Sequence, residues 1–469
     1  MSGVRLTVGW LAKAVGGRIA AGDPDREIGK VVTDSRAVEP GDFFIALRGP
    51  RFDGQAFVGE AIGLRGACGA LVQSLEDGRD AGVAGAAIVE VDDTTRALQD
   101  LARAVRVAAG TKVVAITGSA GKTTTKDTIA DFLSTGFVVV KNKGNLNNHI
   151  GLPLSLLQLR EGPDVAVMEL GMNHAGEIST LVAIADPDVR VWTNVGDAHL
   201  GHFASSDAIA DAKAEILEGA GPQDVLVCNA DDPRVMTRVG RFAGRTVTFG
   251  EHPGAIVRAR DIEDRGIEGT RARVATPAGD AVLETPLIGR GNLSNVLAAT
   301  AVALDFGIPL STVVERAATL KPADRRGVVR RLRAGVTLID DSYNSSPSAL
   351  RNALDVIGRE TRAARKVAVL GEMLELGAHA DALHEDCGRA AAAVDLGLLF
   401  VVGGKPAKAL ARAAVAAGMP AASVTWTDTS EAAASMVAAA VRSGDLVLVK
   451  GSRGTRCDVV ADRISADFA

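Results

Sequence analysis

Val113-Val114-Ala115-Ile116-Thr117-Gly118-Ser119-Ala120-Gly121-Lys122-Thr123-Thr124-Thr125 passes from a β-branched apolar run through two glycines to a lysine and three threonines. Residues Thr123 to Leu133 then carry a helical pattern. Strand, glycine turn and helix in that order form a phosphate-binding loop. Backbone N–H groups turn inward, and the helix N-terminus adds its positive dipole end. Gly118, Ser119, Ala120, Gly121, Lys122, Thr123 and Thr124 are therefore the candidate nucleotide-binding residues, with Lys122 on the β/γ-phosphates and the Thr123 hydroxyl on Mg²⁺. The spacing G-x-x-G-K-T is shorter than the usual G-x-x-x-x-G-K-[ST], and the alternative is a plain glycine turn capped by threonines.

Around this loop lie 469 residues, enough for about three domains. A formal net charge of −5 argues against a non-specific nucleic-acid binder, and 3% aromatic content against a base-stacking platform. Cys68, Cys228, Cys387 and Cys457 are scattered without a Cys-x-x-Cys pair, so neither a zinc site nor a disulfide framework is expected. No apolar run is long enough for a membrane span, and the first residues lack the apolar stretch of a signal peptide. These features predict a cytoplasmic α/β enzyme.

Three units are expected. The first, residues 1–86, holds short strands and Ala-rich helical segments of a small α/β layer. In it Asp34-Ser35-Arg36 either caps a turn or holds a diphosphate. The second, residues 87–319, contains the helix Thr94–Ala109, the phosphate loop and a parallel sheet; residues 246–288 read as an antiparallel flank. The third, residues 320–469, repeats strand and Ala-rich helix and predicts a second, doubly wound parallel sheet. Ligands of such sheets bind at the carboxyl ends of the strands. Glu169 and His199 sit at or just past strand ends, as the phosphate loop does, and should converge with it.

Mg²⁺ prefers oxygen ligands, which Thr123 and Glu169 supply. By that chemistry His199 is a hydrogen-bonding or loop residue, and Lys213, on a helix beyond it, a solvated lysine. No Ser-His-Asp or Cys-His pattern is present, so phosphoryl transfer driven by positioning and electrostatics is expected.

The order of motifs over the whole chain resembles the Mur ligases. They are Thr33–Arg36 with Phe52–Gly54, Thr117–Thr124, Gly144–Pro153, Glu169–His174, Asn229–Pro233, Gly291–Asn295, Asp340–Asn344, Gly371–Gly377 and Lys450–Arg453. The Asn145-Leu-Asn-Asn148 and Asp341-Ser-Tyr-Asn344 forms point, within that family, to addition of D-alanyl-D-alanine to UDP-N-acetylmuramoyl-tripeptide at the expense of ATP. The resemblance implies that Ser35 and Arg36, with Asp53 and Gly54, hold the UDP substrate in an N-terminal domain. It puts Asn145, Asn148, Tyr343 and Asn344 on the substrate side, Asn295 near adenine, and Arg326 and Asp341 reaching over from a Rossmann-like C-terminal domain, with Arg325 the neighbouring alternative to Arg326. It makes Glu169 and His199 metal ligands, and implies that Lys213 is carbamylated beside a second Mg²⁺. Neither nucleic acid nor membrane would be a partner, and the enzyme would be a monomer.

Overall fold

The computed structural model describes residues 3–49, 52–73, 85–198 and 200–469. Three separate main sheets follow one another along the chain. The first runs Arg18–Ala21, Ala87–Glu90, Gly69–Val72, Phe43–Ile45, Val31–Val32, and only Arg18–Ala21 is antiparallel to its neighbour. Because Ala87–Glu90 pairs on both sides within this sheet, the first sheet extends past the boundary expected at 86/87. At the start of the chain Thr7 makes one bridge to Glu27, and its side chain accepts the Trp10 N–H to cap the helix Val8–Ala14.

The helix Thr94–Ala109, capped by Asp93 and ended by Gly110 at φ +64°, leads into the central sheet. Its Ala97, Leu98, Leu101, Ala102 and Val105 repeat at helical spacing and are all buried. They join one continuous apolar cluster that holds Leu6, Phe43 and Leu71 of the first unit together with Val113, Met168 and Trp192 of the second. Arg160 fastens the same junction: its guanidinium donates to the carbonyls of Ile28 and Gly29, and its own carbonyl accepts the Val4 N–H.

The central sheet has nine strands, in the order 279–285, 270–276, 257–264, 245–250, 225–229, 189–192, 112–117, 165–169, 139–141. The flank expected to be antiparallel from 246 is so only at its outer strands. Arg245–Gly250 extends the parallel part and Val257 pairs parallel to it, whereas 270–276 and 279–285 form antiparallel ribbons. The inner strands are apolar on both faces because helices cover both, the usual condition of a parallel sheet.

The third sheet is ordered 328–331, 337–341, 445–450, 365–371, 398–402, 424–427, parallel except at its first strand. Its two apolar layers are separate clusters, and Ile267 and Ile288 of the central unit pack into one of them. The four cysteines are free and buried. No described helix is long and apolar enough to cross a membrane.

Candidate active site

Strands 165–169, 112–117 and 189–192 lie side by side, with Glu169 opposite Ile116 and Trp192 opposite Thr117. Glu169, the phosphate loop and Thr193-Asn194 therefore leave the sheet at one edge. The loop is held there by its neighbours. Asn194 accepts the Ala120 N–H at 2.9 Å through its side chain and the Ser119 N–H at 3.1 Å through its carbonyl, and the Thr193 hydroxyl donates to the Ala120 carbonyl at 2.8 Å. Two of the loop's own amides are thus occupied. The donors left for a phosphate are those opening the helix Lys122–Leu133, which have no intrahelical partner.

Lys122 Nζ donates to the Gly118 carbonyl at 2.7 Å, folding the side chain back over the loop. Burial lowers its pKa, the Glu169 carboxylate works against that shift, and Arg326 adds to it. The Thr123 hydroxyl donates to Glu169 Oε2 at 2.8 Å, and Asn147 Nδ2 donates to Oε1 at 2.9 Å. Asn142 accepts the Glu169 N–H and donates to its carbonyl, both at 3.0 Å. The buried Lys126 donates to the Asn142 carbonyl at 2.9 Å and lies 3.9 Å from Glu169 Oε2. Glu169 is 4% exposed, so this frame fixes its carboxylate firmly. Thr123 and Glu169 present oxygen only, which fits Mg²⁺ completed by phosphate oxygens and waters.

Lys213 departs from its solvated reading: it is 1% exposed, and no carboxylate among the described residues lies within ion-pairing distance. Burial drives its pKa well below the ordinary lysine value, and the positive Lys122 adds to this. His199 lies outside the described residues.

Opposite the loop, the third unit closes a cleft of about 410 Å³. Its walls include Ser119–Lys122, Thr124, Asn292, Asn295, Arg326, Asp341, Asn344, Lys450 and Arg453. Of the two candidate arginines, Arg326 lines this cleft, while Arg325, at φ +55°, turns to Asp462 at 3.0 Å. The Arg326 guanidinium lies 4.2 Å above the Tyr343 ring and that of Arg453 lies 5.7 Å from it. Asp341 accepts from Lys450 Nζ at 2.6 Å, and the same ammonium donates to the Asn344 carbonyl. The helix Arg290–Asp305 carries Asn292 and Asn295 to the cleft wall. Asn295 accepts the Thr125 hydroxyl at 3.2 Å and donates to Asn292 Oδ1 at 3.1 Å.

Within the Asn145–Asn148 stretch, the residue that reaches Glu169 is Asn147. Asn145 is exposed and Asn148 caps the helix that starts at Gly151, accepting the Ile150 and Gly151 N–H groups. Gly171 leaves room for this contact, since a Cβ there would stand 2.9 Å from the Asn147 side chain. In the first unit Asp34 accepts the Arg36 N–H and pairs its carboxylate with the Arg36 guanidinium at 2.7 and 2.9 Å, which pulls its pKa down to about 2. Asp53 likewise caps Gln55, and Gly54 packs so tightly that a Cβ would meet the Leu47 carbonyl at 2.6 Å. Asp34 and Asp53 thus each cap a turn, and the Arg36 side chain is exposed beside a buried Ser35. None of these first-unit residues is part of the cleft wall.

Gly121 carries a direct test. Its φ is +81°, and a Cβ would fall 2.2 Å from Asn295 Oδ1. Gly121→Ala is expected to weaken ADP binding by about tenfold or more, since forcing this turn costs on the order of 1–3 kcal/mol. Titration calorimetry with ADP checks it; unchanged affinity would dissociate the turn from nucleotide binding.

Family models match along this layout: "Mur ligase family, catalytic domain" over residues 27–106, "Mur ligase middle domain" over 116–303 and "Mur ligase, glutamate ligase domain" over 325–453. The UDP-N-acetylmuramoyl-tripeptide--D-alanyl-D-alanine ligase of Bacillus subtilis is 33% identical over 99% of this chain and 100% of its own length. The chain belongs to the Mur ligase family. Among Mur ligases of known structure, MurF from Acinetobacter baumannii superposes with a TM-score of 0.89 at 32% identity, covering 99% of this chain and 100% of that one. MurF from Thermotoga maritima, solved in complex with ADP, gives 0.81 at 30% identity, with 93% and 97% covered.

Proposed function

We propose that this Mur ligase joins D-alanyl-D-alanine to UDP-N-acetylmuramoyl-tripeptide with cleavage of ATP to ADP and phosphate, as a cytoplasmic monomer. The observation that carries the reading is the single cleft walled by the phosphate loop on one side and by Arg326, Asp341, Lys450 and Arg453 of the third unit on the other. The names of its relatives support the choice of substrates.

A carboxylate is a poor electrophile, so the peptide's terminal carboxylate oxygen attacks the γ-phosphorus of ATP. The bond to ADP breaks and an acyl phosphate forms. The dipeptide amine then attacks the acyl carbon, phosphate leaves and the amine sheds a proton. Lys122 sits to meet charge on the transferring group, and preorganised contacts of this kind are worth about 2.7–4 kcal/mol each. Thr123 and Glu169 would hold Mg²⁺, with His199 and Lys213 the further candidates; the ion supplies Lewis-acid neutralisation of phosphate charge. Arg326, stacked on Tyr343, brings a cation from the third unit, so a complete charge shell requires that unit to be docked. Docking also covers the site and protects the acyl phosphate from water.

The test is a coupled ADP-release assay with mass spectrometry of the product. ADP should form only when UDP-muramoyl-tripeptide is present, and the product should carry one added D-alanyl-D-alanine. Steady ADP release without the UDP substrate would point to a nucleotide switch. Incorporation of a free amino acid in place of the dipeptide would point to another amide ligase.

A further inference from the structure

The third unit meets the central one through the segment Gly371–Gly377, whose Leu374, Glu375 and Leu376 form part of the cleft wall. Among the hydrogen bonds that pin this segment, three bear on its 373–375 stretch. The Leu374 N–H donates to Ser452 Oγ at 3.0 Å. The Glu375 carbonyl accepts the Gly201 N–H of the central unit at 2.8 Å. The Met373 N–H donates to Nε2 of His384 at 2.9 Å. Glu375 holds φ +64°, a left-handed conformation that a residue with a side chain adopts only when its surroundings impose it. Gly201 and Gly377 pack backbone to backbone at the same point.

His384 is fully buried, and it lies on the helix Ala380–Ala392, away from every group assigned to the reaction above. Its Nδ1 is 2.7 Å from the Ala380 carbonyl and donates to it, so Nε2 is left as the acceptor that Met373 needs. Burial lowers the pKa of the ring, with Glu372 and Asp381 opposing, which keeps it in this neutral form.

We infer that His384 is a positioning residue for nucleotide binding: its Nε2 holds the 373–376 segment in the strained form that walls the cleft and docks on Gly201. The inference rests on the nucleotide site proposed above. A residue of this kind acts on ground-state affinity, because the segment it sets lines the same cleft as the phosphate loop.

The experiment measures ADP affinity by calorimetry and the KM for ATP and kcat by ADP release, on the wild type and on His384→Ala, His384→Gln and Gly201→Ala. His384→Ala leaves a buried N–H without an acceptor and is expected to weaken ADP binding and raise the KM for ATP about tenfold, with kcat reduced less than about threefold. His384→Gln, whose Oε1 reaches as far as Nε2, should restore affinity to within about twofold of the wild type. Gly201→Ala places a Cβ 2.7 Å from the Gly377 nitrogen and 2.8 Å from the Glu375 oxygen, and should weaken ADP binding with His384 intact. Wild-type affinity in His384→Ala overturns the inference, as does a Gln variant no better than Ala or a loss confined to kcat. Should His384→Ala fail to fold, His384→Leu, which fills the space without an acceptor, takes its place: lost affinity in Leu with retained affinity in Gln supports the inference, and equal affinity in the two overturns it. A wild-type protein that does not bind ADP overturns the function proposed above, a separate failure from a wild type that binds and a His384→Ala that binds equally well.

Discussion

Lys213→Ala and Lys213→Arg are both expected to lose ligase turnover by more than about 10²-fold, the scale of removing a preorganised charged group from a phosphoryl-transfer site. The reason lies in the side chain's surroundings. For a lysine 1% exposed, without a carboxylate partner among the described residues, burial first and the nearby Lys122 second push the equilibrium toward the neutral amine. A neutral amine adds CO₂: the nitrogen lone pair bonds to carbon, one proton leaves, and a carbamate anion results. That would turn a neutral group into an anion with two oxygens, the ligand type Mg²⁺ favours. Arginine is a cation that forms no carbamate, so it should rescue nothing. The pKa direction gives the pH sense. The amine's protonated form is disfavoured by folding, so acidification works against both the neutral amine and its carbamate. Incubation of the wild type with ¹³C-bicarbonate should give a carbamate carbon signal in the NMR spectrum that is missing from Lys213→Arg. A fully active Lys213→Arg enzyme would return this lysine to an inert role in the core.

Lys122→Ala is expected to reduce turnover by about 10²–10³-fold, equivalent to about 2.7–4 kcal/mol of transition-state stabilisation. Lys122 Nζ is tethered to the Gly118 carbonyl, across the turn that faces the cleft. Its charge is placed before any nucleotide arrives, which spares the reorganisation that a solvated lysine would need. The loss should appear in kcat as well as in kcat/KM, because the contact strengthens as charge develops on the transferring group. Steady-state kinetics at saturating ATP and UDP substrate measure it. Near wild-type turnover would remove the loop lysine from the mechanism.

The phosphate loop was legible from its local chemistry: β-branched residues, positive-φ glycines and a helix in succession dictate one geometry, and the backbone has Gly118 and Gly121 at positive φ accordingly. The convergence of Glu169 on Thr123 followed from the strand-end rule alone. Lys213 was not legible from charge pattern. The short stretch Ala210–Ile216 reads the same on a surface as in a core, and only the packing of Ile209, Ala210, Ala212 and Ala214 shows that its lysine is inside. Asn147 was hidden for another reason. Three asparagines stand within four positions, and the one that faces Glu169 is chosen by the turn between Lys143 and Asn148, which propensity does not specify. Arg326 and Arg325 are chemically identical neighbours; the left-handed backbone at Arg325 sends one to Asp462 and the other to the cleft. His384 carried no signal because its partner is a backbone amide eleven residues away.

The apolar interior shared by the first two units has a consequence for substrate length. Phe43 and Leu71 of the first unit, the helix Thr94–Ala109 and Met168, next to Glu169 in its strand, belong to one packed body, locked again by Arg160. Close-packed interiors resist deformation, so the span from the first unit to the carboxyl edge of the central sheet is set by side-chain volumes. A ligand anchored by a diphosphate at one end and reacting through a carboxylate at the other would have to match that span. The fold would then act as a gauge, in which a peptide one residue short leaves its carboxylate out of reach of the phosphorus, however well its head is bound.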